Sequence, residues 1–227
     1  MNAPTPHSNQ QPAQLSIDIV SDVVCPWCAI GYKQLERAIG MLAGRAEIGV
    51  RWHPFQLAPY LPPEGQSIAD YTRERYGATP EQSNSSRSRI IDAGKPLGLE
   101  FNYSPESRIY NTRRAHKLLT WAGEQGAQTV LKLALFNAYF TEQRNVNDTD
   151  VLLDAAEAAG LDRAAATSAL EDPRIDEIVD AELAYWQDQN ISGVPAFIVN
   201  GKYMIPGAQD ADTFVRVLER VMEKEAA

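Results

Sequence analysis

A chain of 227 residues, 44% hydrophobic and 22% charged, has the composition of a folded globular protein with room for a sizeable core. Its 21 basic and 30 acidic side chains leave a net charge of −9, which argues against nucleic acid or an anionic membrane surface as a partner. No apolar run approaches the length needed to cross a bilayer, so no membrane role is expected.

Residues 1–14 are rich in Pro, Asn and Gln. They lack both Lys or Arg and an apolar core segment, so they read as a disordered tail rather than a secretory signal. The chain is therefore expected to work in the cytoplasm. There, two cysteines at C-x-x-C spacing are catalytic or metal-binding rather than structural.

Leu15–Val20 alternates apolar and polar residues and is predicted to be a strand. Cys25-Pro26-Trp27-Cys28 then opens a helix that runs to about Ala43, with Leu35, Ala38, Ile39 and Leu42 on one stripe. Ile48, Val50 and Trp52 mark a second strand before Pro54. A strand, a crossover helix and a second strand imply parallel pairing.

A proline-rich connection over 54–63 leads into more than a hundred mostly helical residues. Ser67-x-x-Asp70 and Thr79-Pro80-Glu81-Gln82 are helix starts, with Gly77 a terminator between them. Residues 94–104 are predicted to be loop. Asn111–Ala122 is amphipathic, and Val130–Phe140 is the most apolar helix of the region. Thr149–Ala159 and Asp162–Leu170 are shorter helices. Asp172-Pro173 starts a longer one that reaches about Asn190. The chain closes as a buried strand at Ala196–Val199, an Asn200-Gly201 hairpin turn, a returning strand over Lys202–Ile205 and a helix capped by Asp210. The expected organisation is thus a tail (1–14), the first half of an α/β core (15–57), a helical insertion (58–190) and the second half of the core (191–227).

Cys25 and Cys28 are the only cysteines, spaced to lie on one face of a helix start. They can exchange between dithiol and disulfide, and the helix N-terminus favours thiolate over thiol. Zinc is the rival reading. It needs four ligands, whereas His7, His53 and His116 are scattered and no further cysteine exists. A redox pair with no metal is therefore preferred. His53 is expected at a strand end and His116 partly buried on a helix, neither in a catalytic role. Asn111, Arg113 and Arg114 are read as a solvated helix face rather than part of the redox groove.

Together, Ser21-Asp22-Val23-Val24-Cys25-Pro26-Trp27-Cys28, Pro54-Phe55-Gln56-Leu57, Asn111-Thr112-Arg113-Arg114-Ala115-His116 and Gly193-Val194-Pro195-Ala196-Phe197-Ile198-Val199-Asn200-Gly201 carry a resemblance. From about Leu15 to Met222 the chain resembles the FrnE-like group of the DsbA family, which is related to 2-hydroxychromene-2-carboxylate isomerases. The resemblance implies a thioredoxin-like α/β fold with a large all-helical insertion and a thiol-disulfide oxidoreductase or isomerase activity. Cys25 would be the nucleophile at the exposed edge of the helix, and Cys28 the resolving thiol. Pro195 would be cis, its loop packed against the sulfurs. The Val194 backbone would be free to pair with an extended substrate, and Pro26 and Trp27 would form the wall that contacts it. Strongly oxidising family members carry His where this chain has Trp27. An indole offers a single N–H donor, so a milder exchanger is expected.

The resemblance implies a cysteine-containing protein or peptide as substrate, no bound cofactor, and glutathione as a candidate thiol co-substrate. A homodimer is compatible with the sequence. Two other functions fit parts of the pattern. One is a glutathione-dependent isomerase or transferase of a small aromatic compound, although such relatives usually carry Ser at the first cysteine position. The other is a non-catalytic binding protein gated by its disulfide.

Overall fold

Residues 12–226 are described by the structure, a computed structural model. The tail expectation for residues 1–11 lies outside the described residues. Ala13 and Gln14, expected in that tail, instead begin β1 (Ala13–Ser21), because they continue the parallel register onto Ala46 and Glu47. A Gln14–Glu47 side-chain hydrogen bond of 2.6 Å fixes that end. α1 (Pro26–Met41) is followed by β2 (Ala46–Pro54), and β1 and β2 pair in parallel as the crossover requires.

Between β2 and the closing strands the chain is helical, apart from one small ribbon. β3 (Gln66–Ser67) precedes α2 (Ile68–Tyr76) and α3 (Pro80–Gly94). β4 (Arg108–Ile109) pairs antiparallel with β3. α4 (Arg113–Glu124), α5 (Gln128–Phe136), α6 (Thr149–Ala158), α7 (Arg163–Glu171) and α8 (Pro173–Asp188) complete the segment. Ser67 accepts the Asp70 N–H, and Thr79 and Gln82 exchange both bonds of a capping box, so both predicted helix starts form for their predicted reason.

Two departures here are local. The stretch predicted as loop opens with a 3₁₀ turn at Lys95–Leu97. The apolar helix after Val130 changes character at Asn137–Thr141, where Glu142 N–H donates to Asn137 O in an i+5 bond. Ala138, Tyr139 and Phe140 are buried in succession through this wider turn.

β5 (Ala196–Val199), β6 (Tyr203–Pro206) and α9 (Ala211–Glu225) close the fold. The sheet order is β2-β1-β5-β6, so the first-formed strand is central and pairs antiparallel with a strand some 180 residues later, Ile17 opposite Val199. The turn between β5 and β6 takes three residues rather than two, with Asn200 and Gly201 both at positive φ. The Asn200 side chain then accepts the Ser16 N–H at 2.9 Å, which lengthens the β1–β5 pairing.

One face of the sheet is covered by α1 and α9. Phe214 and Leu218 of α9 are fully buried, and the Phe214 ring meets Phe197 edge-on at 4.9 Å. Truncating either side chain would cost about 3 kcal/mol. Gly31 lets α1 approach this pair: a Cβ there would stand 3.0 Å from the Phe197 ring. On the other face Val20, Ala196 and Ile198 pack on Trp186 and Ile191 from the end of the helical segment. The two faces of β1 are thus buried by different parts of the chain.

Candidate active site

Cys25 is the N-cap of α1, with an extended backbone (φ −92, ψ 110), and Pro26 takes the first helical position. Cys28 lies one turn in, and its N–H donates to Cys25 O at 3.1 Å. Cys28 is wholly buried. Cys25 is 5% exposed, where the sequence suggested an open edge, yet it forms part of the wall of a cavity of about 870 Å³. Trp27, 38% exposed, stands at the same cavity together with Pro26. The loop before β5 supplies the fourth side. The Cys25 thiol donates to Val194 O at 3.7 Å, and the Val194–Pro195 peptide bond is cis. Pro195 O is occupied by Gly207 N–H at 2.8 Å, whereas the Val194 N–H makes no hydrogen bond among the described residues. The six residues singled out from the sequence are therefore brought together. The opposite wall comes from the helical segment, chiefly Tyr71, Tyr103 and Tyr139.

Two buried polar groups beneath the cysteines, Asp22 and Lys132, were given no role from the sequence, and His116, expected to be partly buried, joins them. Asp22 is 0% exposed: Oδ2 accepts the Leu57 N–H at 2.7 Å, while Oδ1 has no hydrogen bond and lies 3.3 Å from His116 Nε2. That nitrogen donates to Phe55 O at 2.8 Å, so His116 is fully buried rather than half-buried and ties α4 to the end of β2. Lys132 of α5 is 1% exposed and sits over the rings of Trp52 (5.1 Å) and Phe136 (5.2 Å). Gln128, one turn earlier, holds α5 against the edge strand: it accepts the Trp52 N–H at 2.9 Å and donates to Trp52 O at 3.0 Å. A lysine inside Val130-Leu131-Lys132-Leu133, one turn after Gln128, was the available signal.

Cys25 and Cys28 titrate as a linked pair. The neighbouring Cys28 sulfur and burial push Cys25 well above an ordinary thiol. Burial also resists ionisation of Cys28, but Cys25, the Lys132 charge and Ser21 together hold it below the ordinary value. Cys25 caps the helix from outside with its thiol turned to a carbonyl, and Asp22 adds repulsion. Burial lowers Lys132 to about 8, against the opposing pull of Cys28 and Asp22. Burial raises the Tyr103 phenol, and negative charge at Cys25 raises it further, so its O–H persists at neutral pH.

Other candidates lie elsewhere. His53 is held between Asp18 (2.9 Å) and Glu182 (3.2 Å) and packs against Trp186. Arg113 pairs with Asp180, Arg114 binds Asn147 O and Thr149, and Asn111 donates to Pro59 O. These side chains knit the helical segment together and are neither a solvated face nor part of the cavity wall. Among the described residues no group of three or more His, Cys, Asp and Glu is arranged to hold a metal ion. No helix among them is long and apolar enough to cross a membrane.

Comparison with protein families matches residues 16–219 to the DSBA-like thioredoxin domain. The chain belongs to that family. Among curated proteins it is 30% identical over 210 residues to YwbO of Bacillus subtilis, covering 92% of this chain and 98% of the relative. It is 32% identical over 190 residues to the thiol:disulfide interchange protein DsbL of Escherichia coli, covering 82% and 68%. Among solved structures, the "probable DsbA oxidoreductase SCO1869" of Streptomyces coelicolor superposes with a TM-score of 0.84 at 28% identity, covering 91% of this chain and 89% of that one. The mixed sheet flanked by helices is thus the DsbA-like thioredoxin fold, and the family supports an oxidoreductase or isomerase.

Proposed function

We propose that this chain is a dithiol–disulfide exchanger whose reaction runs through Cys25. The observation that carries the reading is the unequal placement of the two sulfurs: Cys25 borders a cavity large enough for a substrate, and Cys28 is sealed behind it. Cys25 gives up its proton to solvent and, as the thiolate, attacks one sulfur of a substrate disulfide. The substrate S–S bond breaks, and the first thiolate leaves to take a proton from solvent. Cys28 then gives up its proton and attacks the Cys25 sulfur. The second thiol departs, leaving a Cys25–Cys28 disulfide, and two electrons have moved to the substrate. Run backwards, the same steps oxidise a dithiol.

An extended peptide fits alongside Val194, whose N–H is open for pairing. The cysteines are the redox centre, so no bound cofactor is required, and glutathione is a suitable thiol co-substrate. In a reducing cytoplasm the dithiol form would dominate and favour reduction or isomerisation. Trp27 in place of His weakens the case for a strong oxidant.

Replacing Cys28 with Ser tests the reading. The Cys28→Ser chain, mixed with a disulfide-bonded peptide, is expected to accumulate a mixed disulfide at Cys25 and lose turnover. Undiminished turnover would refute exchange through a cysteine pair. That outcome would favour glutathione-dependent isomerisation of a small aromatic compound, a reading supported by the tyrosine-walled cavity.

A further inference from the structure

Five arginines among the described residues are partly withdrawn from solvent: Arg87, Arg113, Arg114, Arg144 and Arg163. Four hold partners. Arg113 pairs with Asp180, Arg114 binds Asn147 O and Thr149, and Arg144 and Arg163 share Asp154. Arg87 has neither an ion pair nor a hydrogen bond among the described residues, and it lies on the wall of the cavity that holds Cys25. Withdrawing a charge from water without a partner is unfavourable, so a chain of net charge −9 with ample carboxylates would be expected to supply one. It does not. Glu81, the one carboxylate on that wall, is exposed at the start of α3 and forms no ion pair with Arg87.

A second donor faces the same space. The Tyr103 hydroxyl makes no hydrogen bond among the described residues, unlike Tyr71 and Tyr139, which donate to Leu57 O and Arg108 O. Tyr103, Cys25 and Arg87 line the same cavity. A guanidinium fork and a phenol, both unpartnered, with apolar wall from Ile90 and Ile109 beside them, match a planar anion on a carbon skeleton.

We propose that Arg87 and Tyr103 form a carboxylate subsite beside the redox cysteines, so that the cavity selects small disulfides carrying a carboxylate close to the reacting sulfur. The assignment rests on the exchange reaction proposed above and adds the substrate class. Arg87 takes the carboxylate oxygens in its fork, Tyr103 donates to one of them, and the substrate sulfur is set against Cys25.

The test compares two small aromatic disulfides on the reduced full-length chain: dithiobis(nitrobenzoate), with a carboxylate on each ring, and dithiodipyridine, with none. The readout is the ratio of their second-order rate constants for reaction at Cys25. Charge-assisted bonds of this kind predict that Arg87→Gln lowers the ratio about tenfold or more, and Tyr103→Phe about threefold. Arg51→Gln, which removes the same charge from an exposed position on β2, should leave the ratio unchanged. Each variant is first matched to wild type in its urea midpoint, because thiols exposed by unfolding react with either disulfide and would lower the ratio by themselves. An Arg87→Gln ratio equal to wild type, or a fall of the same size in Arg51→Gln, overturns the subsite. Reaction of the wild type with neither disulfide overturns the exchange reading as well, and so separates the two failures.

Discussion

Lys132 ties stability to redox chemistry, and replacing it with Met separates them. The side chain is 1% exposed, and burial brings it from 10.5 to about 8. That difference corresponds to roughly 3 kcal/mol favouring the neutral amine in the folded state. The folded protein gives up this proton more readily than the unfolded chain. Wild-type stability should therefore rise with pH between about 8 and 10.5, with the full cost of the charge present below about 8. Met fills similar volume without charge. Lys132→Met should thus be the more stable protein at pH 7, by about 1–3 kcal/mol, with the advantage shrinking as pH rises from about 8 to 10.5. Urea denaturation at a series of pH values measures this. The same substitution removes the charge that favours an anion at Cys28, so the first ionisation of the dithiol, followed by thiolate absorbance, should move upward. A Lys132→Met protein less stable than wild type at neutral pH, or a difference that does not change with pH, would refute the reasoning.

His53 is expected to give the opposite pH trend. Burial lowers its affinity for protons, but Asp18 and Glu182 outweigh burial and raise it. Its contribution should be full below about pH 6.5 and fade as pH rises through the higher folded-state value, so the stability gap between wild type and His53→Gln narrows from pH 6 to 9; a constant gap in denaturation midpoints would contradict this. Gly65 holds a left-handed backbone (φ +67) at the β3–β4 ribbon, and a Cβ there would stand 2.2 Å from Ile109 O. Gly65→Ala should destabilise by about 2 kcal/mol or more, measured as a lowered thermal or urea midpoint, and an unchanged midpoint would count against the packing described.

The redox pair, the core strands around it and the parallel pairing of the first two were legible in the sequence because they depend on local signals: a two-residue period, a helix stripe, an Asn-Gly turn and a motif of four residues. β3 and β4 were not, since two residues are too few to show any period. The polar groups beneath the cysteines were missed for a different reason. Asp22 and Lys132 are distant in sequence and each is unremarkable alone; contacts such as the Gln128 clasp on Trp52 hold α5, and with it Lys132, beside the thiol pair that Asp22 adjoins. Arg113 and Arg114 show the reverse failure. Their spacing suggested a solvated face, but their partners come from α8 and from the loop before α6.

The antiparallel pairing of β1 with β5 has a consequence for the newborn chain. Cys25 leaves the ribosome 169 residues ahead of Val194, whose carbonyl receives its thiol in the finished protein. At ordinary synthesis rates the gap is roughly ten to thirty seconds. Throughout that interval the central strand lacks one neighbour, and the two sulfurs lack the loop that later covers them. Nascent chains should therefore display thiols more reactive toward alkylating agents than the completed fold. The carboxyl-terminal thirty or so residues act, in effect, as the stopper that turns an indiscriminate pair of cysteines into a selective one.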